Sequence, residues 1–78
     1  MNQQLIFNND FQIDEQRHAV RFSCLVAGLK VYCFIGVPEA IEPEQFLADV
    51  NTDAFSWEDS AEQAIADDAY TAAGEIWL

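Results

Sequence analysis

The chain has 78 residues, of which 51% are hydrophobic and 13% aromatic, a composition that is typical of a folded globule and excludes a disordered segment. Three Lys and Arg residues against 14 Asp and Glu residues give a formal net charge of −11. This charge excludes direct nucleic-acid binding, which depends on basic contacts to phosphate. No apolar run that is uninterrupted by charged residues approaches the roughly 18 residues of a membrane span, so we expect a cytoplasmic protein without membrane contact, folded as one domain over residues 1–78.

The first predicted element is a short strand at residues 5–7, followed by a turn at residues 8–10, where Asn-Asn-Asp favours a reversal of the chain. Phe11 and Ile13 are expected to pack against the sheet. Residues 14–17 then lead into residues 19–37, the longest apolar run of the sequence.

That apolar run predicts a β-hairpin, because it is rich in β-branched and aromatic residues. A two-residue loop at Ala27 and Gly28 pairs Val26 with Leu29. A loop with Gly28 as a bulge would slip one strand by one residue and mix the two faces, so the two-residue loop is preferred. The predicted register gives one apolar face, with Val20, Phe22, Cys24, Val26, Leu29, Val31, Cys33 and Ile35, and a second face, with Arg21, Ser23, Leu25, Lys30, Tyr32 and Phe34.

The first predicted helix begins at Pro43, which suits the first helical position because it lacks an amide hydrogen, with Glu42 as the cap. Its apolar side consists of Phe46, Leu47 and Val50, and residues 51–53 break it.

A second helix is predicted to begin after Ser56 as the cap, with a core stripe of Trp57, Ala61, Ala64 and Ile65. A short last strand is expected at residues 75–78. If Ile76 and Leu78 face the helices, Trp77 joins Tyr32 and Phe34 on the second face of the sheet.

These elements predict an α+β fold in which two helices pack on one face of a small antiparallel sheet of about four strands: the N-terminal strand, the hairpin and the C-terminal strand. The same order of elements resembles the family of short, uncharacterised proteobacterial proteins known as the domain-of-unknown-function family numbered fourteen eighty-eight. The resemblance is carried by Asp14, Arg17, Val20, Phe22, Gly28, Val31, Cys33, Ile35, Gly74, Ile76 and Leu78. Ile13 and Gly36 differ from the Trp and Ser of the family pattern, and the second helix lacks the family's basic positions. Membership implies a small α+β fold and no known activity.

Three groups of reactive residues are candidates for a disulfide, a catalytic site or a metal site. Cys24 and Cys33 are diagonal neighbours in the predicted register, too far apart for a good disulfide, and are expected to be buried thiols. His18 has no second ligand at metal spacing and no nucleophile beside it, so it is expected to be a partly exposed residue at the entry of a strand. Asp68, which follows Asp67, falls near the middle of the apolar stripe if the second helix continues, so either the helix ends before Asp68 or the two carboxylates meet a divalent cation. No catalytic, cofactor or metal site is predicted.

The acids are unevenly distributed, since residues 38–78 contain eleven of them and no Lys or Arg. One interpretation is an acidic helical surface that attracts a basic partner or mimics nucleic acid. The other is a solvated surface that keeps a small protein soluble.

The second face of the sheet supplies the functional hypothesis. Two helices cover only one face, so Leu25, Tyr32, Phe34 and Trp77 are predicted to form an exposed patch that contacts a protein partner or a second copy of the chain. Alternatively, the N-terminal segment covers this face through Phe7 and Phe11. We therefore predict a non-enzymatic interaction module. The alternative is a small-molecule-binding protein or minor enzyme with a pocket between sheet and helices, near His18.

Overall fold

The computed structural model of the protein describes residues 4–78, which form a five-stranded sheet and two helices. The strands are β1 (Leu5–Phe7), β2 (Gln12–Asp14), β3 (Ala19–Val26), β4 (Leu29–Gly36) and β5 (Ile76–Trp77), and the helices are α1 (Pro43–Thr52) and α2 (Ala54–Ala66). The predicted α+β class is confirmed.

The β3–β4 hairpin has the predicted register, in which Val26 pairs with Leu29 and Phe22 with Cys33. Its two loop residues have positive φ angles, 50° at Ala27 and 86° at Gly28, as the primed two-residue turns require. Ala27 therefore adopts a backbone conformation that L-residues with a side chain disfavour. The alternation of apolar and polar side chains outweighs this local penalty.

The sheet has the strand order β1-β3-β4-β5, and β2 also pairs with β3. β1 lies opposite the end of β3, with Leu5 paired to Val26, and β2 lies opposite its start, with Asp14 paired to Ala19. The sheet is mixed because β5 runs parallel to β4. It thus differs from the predicted sheet in the orientation of its last strand and in the additional strand β2.

Helix α1 begins at Pro43 with Glu42 as the N-cap, as predicted. The predicted start of the second helix at Ser56 is wrong, because α2 begins at Ala54 with Asp53 as the N-cap. Asp53 serves both helices: its N–H donates to the carbonyls of Asp49 and Val50 at the end of α1, and the Ser56 hydroxyl donates to its carboxylate at 3.0 Å. The two helices are therefore separated by a single residue.

The core lies between the helices and the predicted apolar face of the hairpin. It includes Val20, Phe22, Cys24, Cys33 and Ile35 from the sheet, Val50, Ala61 and Ile65 from the helices, and Ile76 from β5. Phe7 and Phe11 pack on this same side, and the Phe11 ring stacks on Phe22 with centroids 4.6 Å apart. The alternative in which these two rings cover the second face is therefore not observed.

Within residues 4–78, no helix combines the length and the apolarity that a membrane crossing requires.

Candidate functional site

The sheet face that points away from the helices carries most of the candidate residues, and we call it the aromatic face. The hairpin alternation directs every second side chain of β3 and β4 to this side, and β1 and β5 add one residue each. Its members are Ile6, Leu25, Tyr32, Phe34 and Trp77, together with Arg17, Arg21 and Lys30. All three basic residues of the chain are therefore on one face.

One end of the aromatic face is a stack of a cation and two rings. The Phe34 and Trp77 rings stack with centroids 4.9 Å apart, and the Arg17 guanidinium lies 4.7 Å from the Phe34 centroid. Arg17 also donates to the Glu75 carboxylate, which raises the pKa of Arg17. Glu75, which precedes β5, thus holds the Arg17 guanidinium over the Phe34 ring, and a cation in this position stabilises the stack.

The middle of the aromatic face is organised around Tyr32. The Arg21 guanidinium lies 5.3 Å from the Tyr32 ring centroid, and the Lys30 ammonium lies 5.1 Å from it. Arg21 is also 3.9 Å from the Asp14 carboxylate on β2. Both cations are attracted to the same ring, which favours this arrangement of the three side chains.

The four predicted contact residues differ in what they expose. Tyr32 is 37% exposed and Trp77 is 43% exposed, while Leu25 is half-buried. Phe34 is only 2% exposed, because Arg17 and Trp77 cover it, and it supports its neighbours without offering much surface itself. Ile6, which is 47% exposed, was not among the predicted residues. Ile6 pairs with Leu25 across β1 and β3, and this pairing places both side chains on the aromatic face.

A polar cluster closes the gap between β1 and β2. The Ser23 side chain is fully buried, and its hydroxyl donates to Asp10 Oδ2 at 2.6 Å while its N–H donates to Oδ1 at 2.8 Å. Asn8 donates from its side chain to Ser23 Oγ at 3.0 Å and from its N–H to the Ser23 carbonyl at 3.1 Å. The Asp10 carboxylate therefore replaces the missing strand partner of Ser23. Because the hydroxyl is buried and fully bonded, it does not serve as a nucleophile.

The hydrogen bonds of this cluster decide the charge of Asp10. Burial alone would raise the pKa of the Asp10 carboxyl, but the bonds from the Ser23 hydroxyl and N–H outweigh it and hold the pKa below its ordinary value of 3.8. Lys30 acts in the same direction through its charge. Asp10 is therefore a carboxylate at neutral pH.

A cleft of about 500 Å³ lies at the opposite end of the sheet from the hairpin loop, beside the start of α1. Its lining includes His18, Glu15, Glu42 and Glu44, with Ile13 and Val37 among its apolar residues. His18 has a positive φ of 51°, and its carbonyl accepts from the Val37 N–H at 3.0 Å. The predicted position of His18 at a strand entry is confirmed, and the residue lies at a cleft.

The remaining reactive residues do not assemble into a site. Cys24 and Cys33 are buried free thiols, and hydrogen bonding to Cys24 together with burial raises the pKa of Cys33 far above its usual range. Helix α2 ends at Ala66, and Asp68 has a φ of 57°, so the helix ends before Asp68. Among residues 4–78 no group of three or more His, Cys, Asp or Glu side chains is arranged to hold a metal ion.

Comparison with known proteins gives a family and no activity. No functionally curated protein matches the chain. The chain is similar to a crystal structure of a protein of unknown function from the DUF1488 family of Shewanella loihica PV-4, with 27% sequence identity, coverage of 100% of this chain and 94% of that chain, and a TM-score of 0.85. The model of the same family, described as a protein of unknown function, matches residues 5–78. The chain therefore belongs to the DUF1488 family, as its pattern of residues predicted.

Proposed function

We propose that this protein is a non-enzymatic protein-interaction module that contacts its partner through the aromatic face. The proposal rests on one observation: the aromatic side chains of Tyr32 and Trp77 are exposed to solvent on a sheet face that neither helix covers. Aromatic residues are enriched at protein interfaces, where they add contact area with little loss of side-chain entropy.

The cations beside the rings add to this argument. Arg17 and Arg21 hold Phe34 and Tyr32 in place before any partner arrives. A surface that is already ordered loses less entropy on binding than a mobile one, so the same area gives a higher affinity.

The test is a pull-down from native cell extract with three baits. Tyr32→Ser removes the ring at the centre of the aromatic face, whereas Phe55→Ser removes a ring that is 84% exposed at the start of α2. We expect the proteins retained by the wild-type bait, untagged copies of the chain included, to be lost with Tyr32→Ser and kept with Phe55→Ser. Identical proteins on all three baits would contradict the proposal.

A second candidate function is supported by the cleft beside His18. Glu15, Glu42 and Glu44 surround it with carboxylates, and Ile13 and Val37 supply apolar surface, a combination that suits a small molecule with an amine and a short hydrocarbon chain. Titration with n-butylamine, followed by ¹⁵N–¹H NMR, tests this function. Amide shifts confined to the lining residues would support it. If the same concentration of sodium chloride produced the same shifts, they would reflect charge screening and not binding of the amine.

A further inference from the structure

We infer that the partner of the aromatic face is a second copy of this chain, packed face to face about a two-fold axis. The inference rests on the proposed function and names the occupant of the same surface. Three features carry it: the charge balance of the aromatic face, the charge of the remaining surface, and the positions of the exposed apolar side chains.

Both arginines of the aromatic face already have carboxylates beside them. Arg17 is bonded to Glu75, and Arg21 lies 3.9 Å from Asp14. An acidic partner would have to displace these carboxylates, and a basic partner would meet the cations. The complementary surface is therefore one with aromatic groups and little net charge, and the aromatic face itself has these properties.

The rest of the surface directs two copies toward this arrangement. Ten of the eleven acids of residues 38–78 lie between residues 39 and 68, the stretch that forms α1 and α2 on the other side of the sheet; the eleventh, Glu75, is bonded to Arg17. Two copies that met through their helices would bring these acids together without a single Lys or Arg between them. Contact between the sheets places the helices on the outside, where distance and salt screen the repulsion.

The exposed apolar side chains are arranged so that the face is complementary to itself. Ile6 and Leu25 lie side by side on β1 and β3, near the hairpin loop, and Trp77 lies on β5 toward the other end of the strands. Tyr32 lies between these two ends on β4. A two-fold axis that runs diagonally past Tyr32 brings Trp77 of each copy against Ile6 and Leu25 of the other, and the two Tyr32 rings against each other.

This register is tested by mixed disulfide formation. Ile6→Cys and Trp77→Cys are prepared as separate proteins, and the native Cys24 and Cys33 do not interfere because both are buried. Oxidised glutathione is the oxidant: it is reduced to glutathione as the two protein thiols are joined. We expect a cross-linked dimer from the mixture of the two variants and little from either variant alone or from Phe55→Cys mixed with either. Equal cross-linking in all mixtures would overturn the register.

Sedimentation of the purified protein supplies a measurement that does not depend on Trp77. The wild type is expected to sediment as a dimer, and Tyr32→Glu to associate at least about tenfold more weakly, because two carboxylates would be desolvated at the axis. Arg21 and Lys30 flank the new carboxylate, so the monomer should keep its fold. Phe55→Glu should remain dimeric.

The two proposals fail in different ways. Suppose that the wild type stays monomeric at millimolar concentration, while capture of another protein still depends on Tyr32. This result would overturn the proposal that the partner is a second copy, but it would agree with the proposed interaction module. A monomer without any Tyr32-dependent capture would overturn both.

Discussion

The Asp10–Ser23 pair offers the sharpest test of how the sheet is held together. Asp10→Ala removes the acceptor of two hydrogen bonds, at 2.8 and 2.6 Å, from a residue that is fully buried. A hydrogen bond to a charged group contributes about 1.5–3 kcal/mol, and a buried donor left without a partner costs about 1–3 kcal/mol. Asp10 is only partly buried, so water will reach part of the gap. We therefore expect a loss of about 2–4 kcal/mol in the free energy of unfolding.

Urea unfolding at pH 7 measures this loss as a shift of the midpoint at constant slope. Ser23→Ala should cost less than Asp10→Ala, because the backbone N–H keeps its acceptor and only the hydroxyl bonds are lost. Asp59→Ala, at an exposed position of α2, is the matched control and should stay within about 0.5 kcal/mol of the wild type. If Asp10→Ala loses no more free energy of unfolding than Asp59→Ala, the Asp10 carboxylate does not replace a strand partner of Ser23.

The same pair predicts a dependence on pH. The pKa of Asp10 is lower in the folded protein than its ordinary value of 3.8, so its carboxylate stabilises the fold fully above that value. This contribution is lost as the pH falls below 3.8 and through the folded pKa. The stability advantage of the wild type over Asp10→Asn should therefore be constant from pH 5 to 7 and shrink in acid. A difference that grows on acidification would refute the sign of the shift.

Three further predictions concern the core, the charge and the turn. Phe22→Ala should cost about 3–5 kcal/mol, since Phe22 is buried against Phe11, whereas Glu62→Gln should cost under about 0.5 kcal/mol; equal midpoints in urea would contradict the packing. The melting temperature should rise as added salt shortens the Debye length from about 30 Å to about 8 Å, because the acids of residues 38–78 repel each other, and a flat or falling curve would exclude that repulsion. Ala27→Asn should raise stability by about 0.5–1 kcal/mol, because Asn tolerates the positive φ of this position; a loss measured by urea unfolding would place the strain elsewhere.

The sequence was most informative where two independent signals agreed. Alternation along residues 19–37 and the position of Gly28 together determined the register of the hairpin, pair by pair. Pro43 and the following apolar positions located α1 in the same way. Each of these elements is long enough to contain several periods of its pattern, so one unusual residue such as Ala27 did not change the interpretation.

One short strand and the long-range contacts could not be predicted in this way. β2 has a single apolar residue in Gln12–Asp14, whereas β1, of the same length, has three in a row, so the sequence indicates β1 and not β2. The pairing of β2 also depends on the irregular backbone between residues 8 and 11. The start of α2 was misplaced because Ser56 is a good cap by composition, whereas Asp53 already occupies that position at the end of α1.

The same limit applied to the aromatic face. Leu25, Tyr32 and Trp77 followed from alternation, but the burial of Phe34 depends on Arg17, which reaches its ring from the turn before β3 and is bonded to Glu75. Such a contact joins residues far apart in the chain and leaves no local signal.

Because β5 is so short, the fraction of molecules with an intact aromatic face should depend on whether a partner is bound to it. β5 pairs with β4 over two residues, and the Leu78 N–H adds a bond to the Phe34 carbonyl at 2.9 Å. A strand with so few bonds is expected to detach at a lower free energy than global unfolding, and each detachment separates Trp77 from Phe34. A partner that binds only the intact face must suppress this opening in proportion to its concentration over its Kd. Amide exchange at Leu78 should then slow as the protein concentration rises, while exchange at Val37, whose N–H is bonded to the His18 carbonyl, should not change.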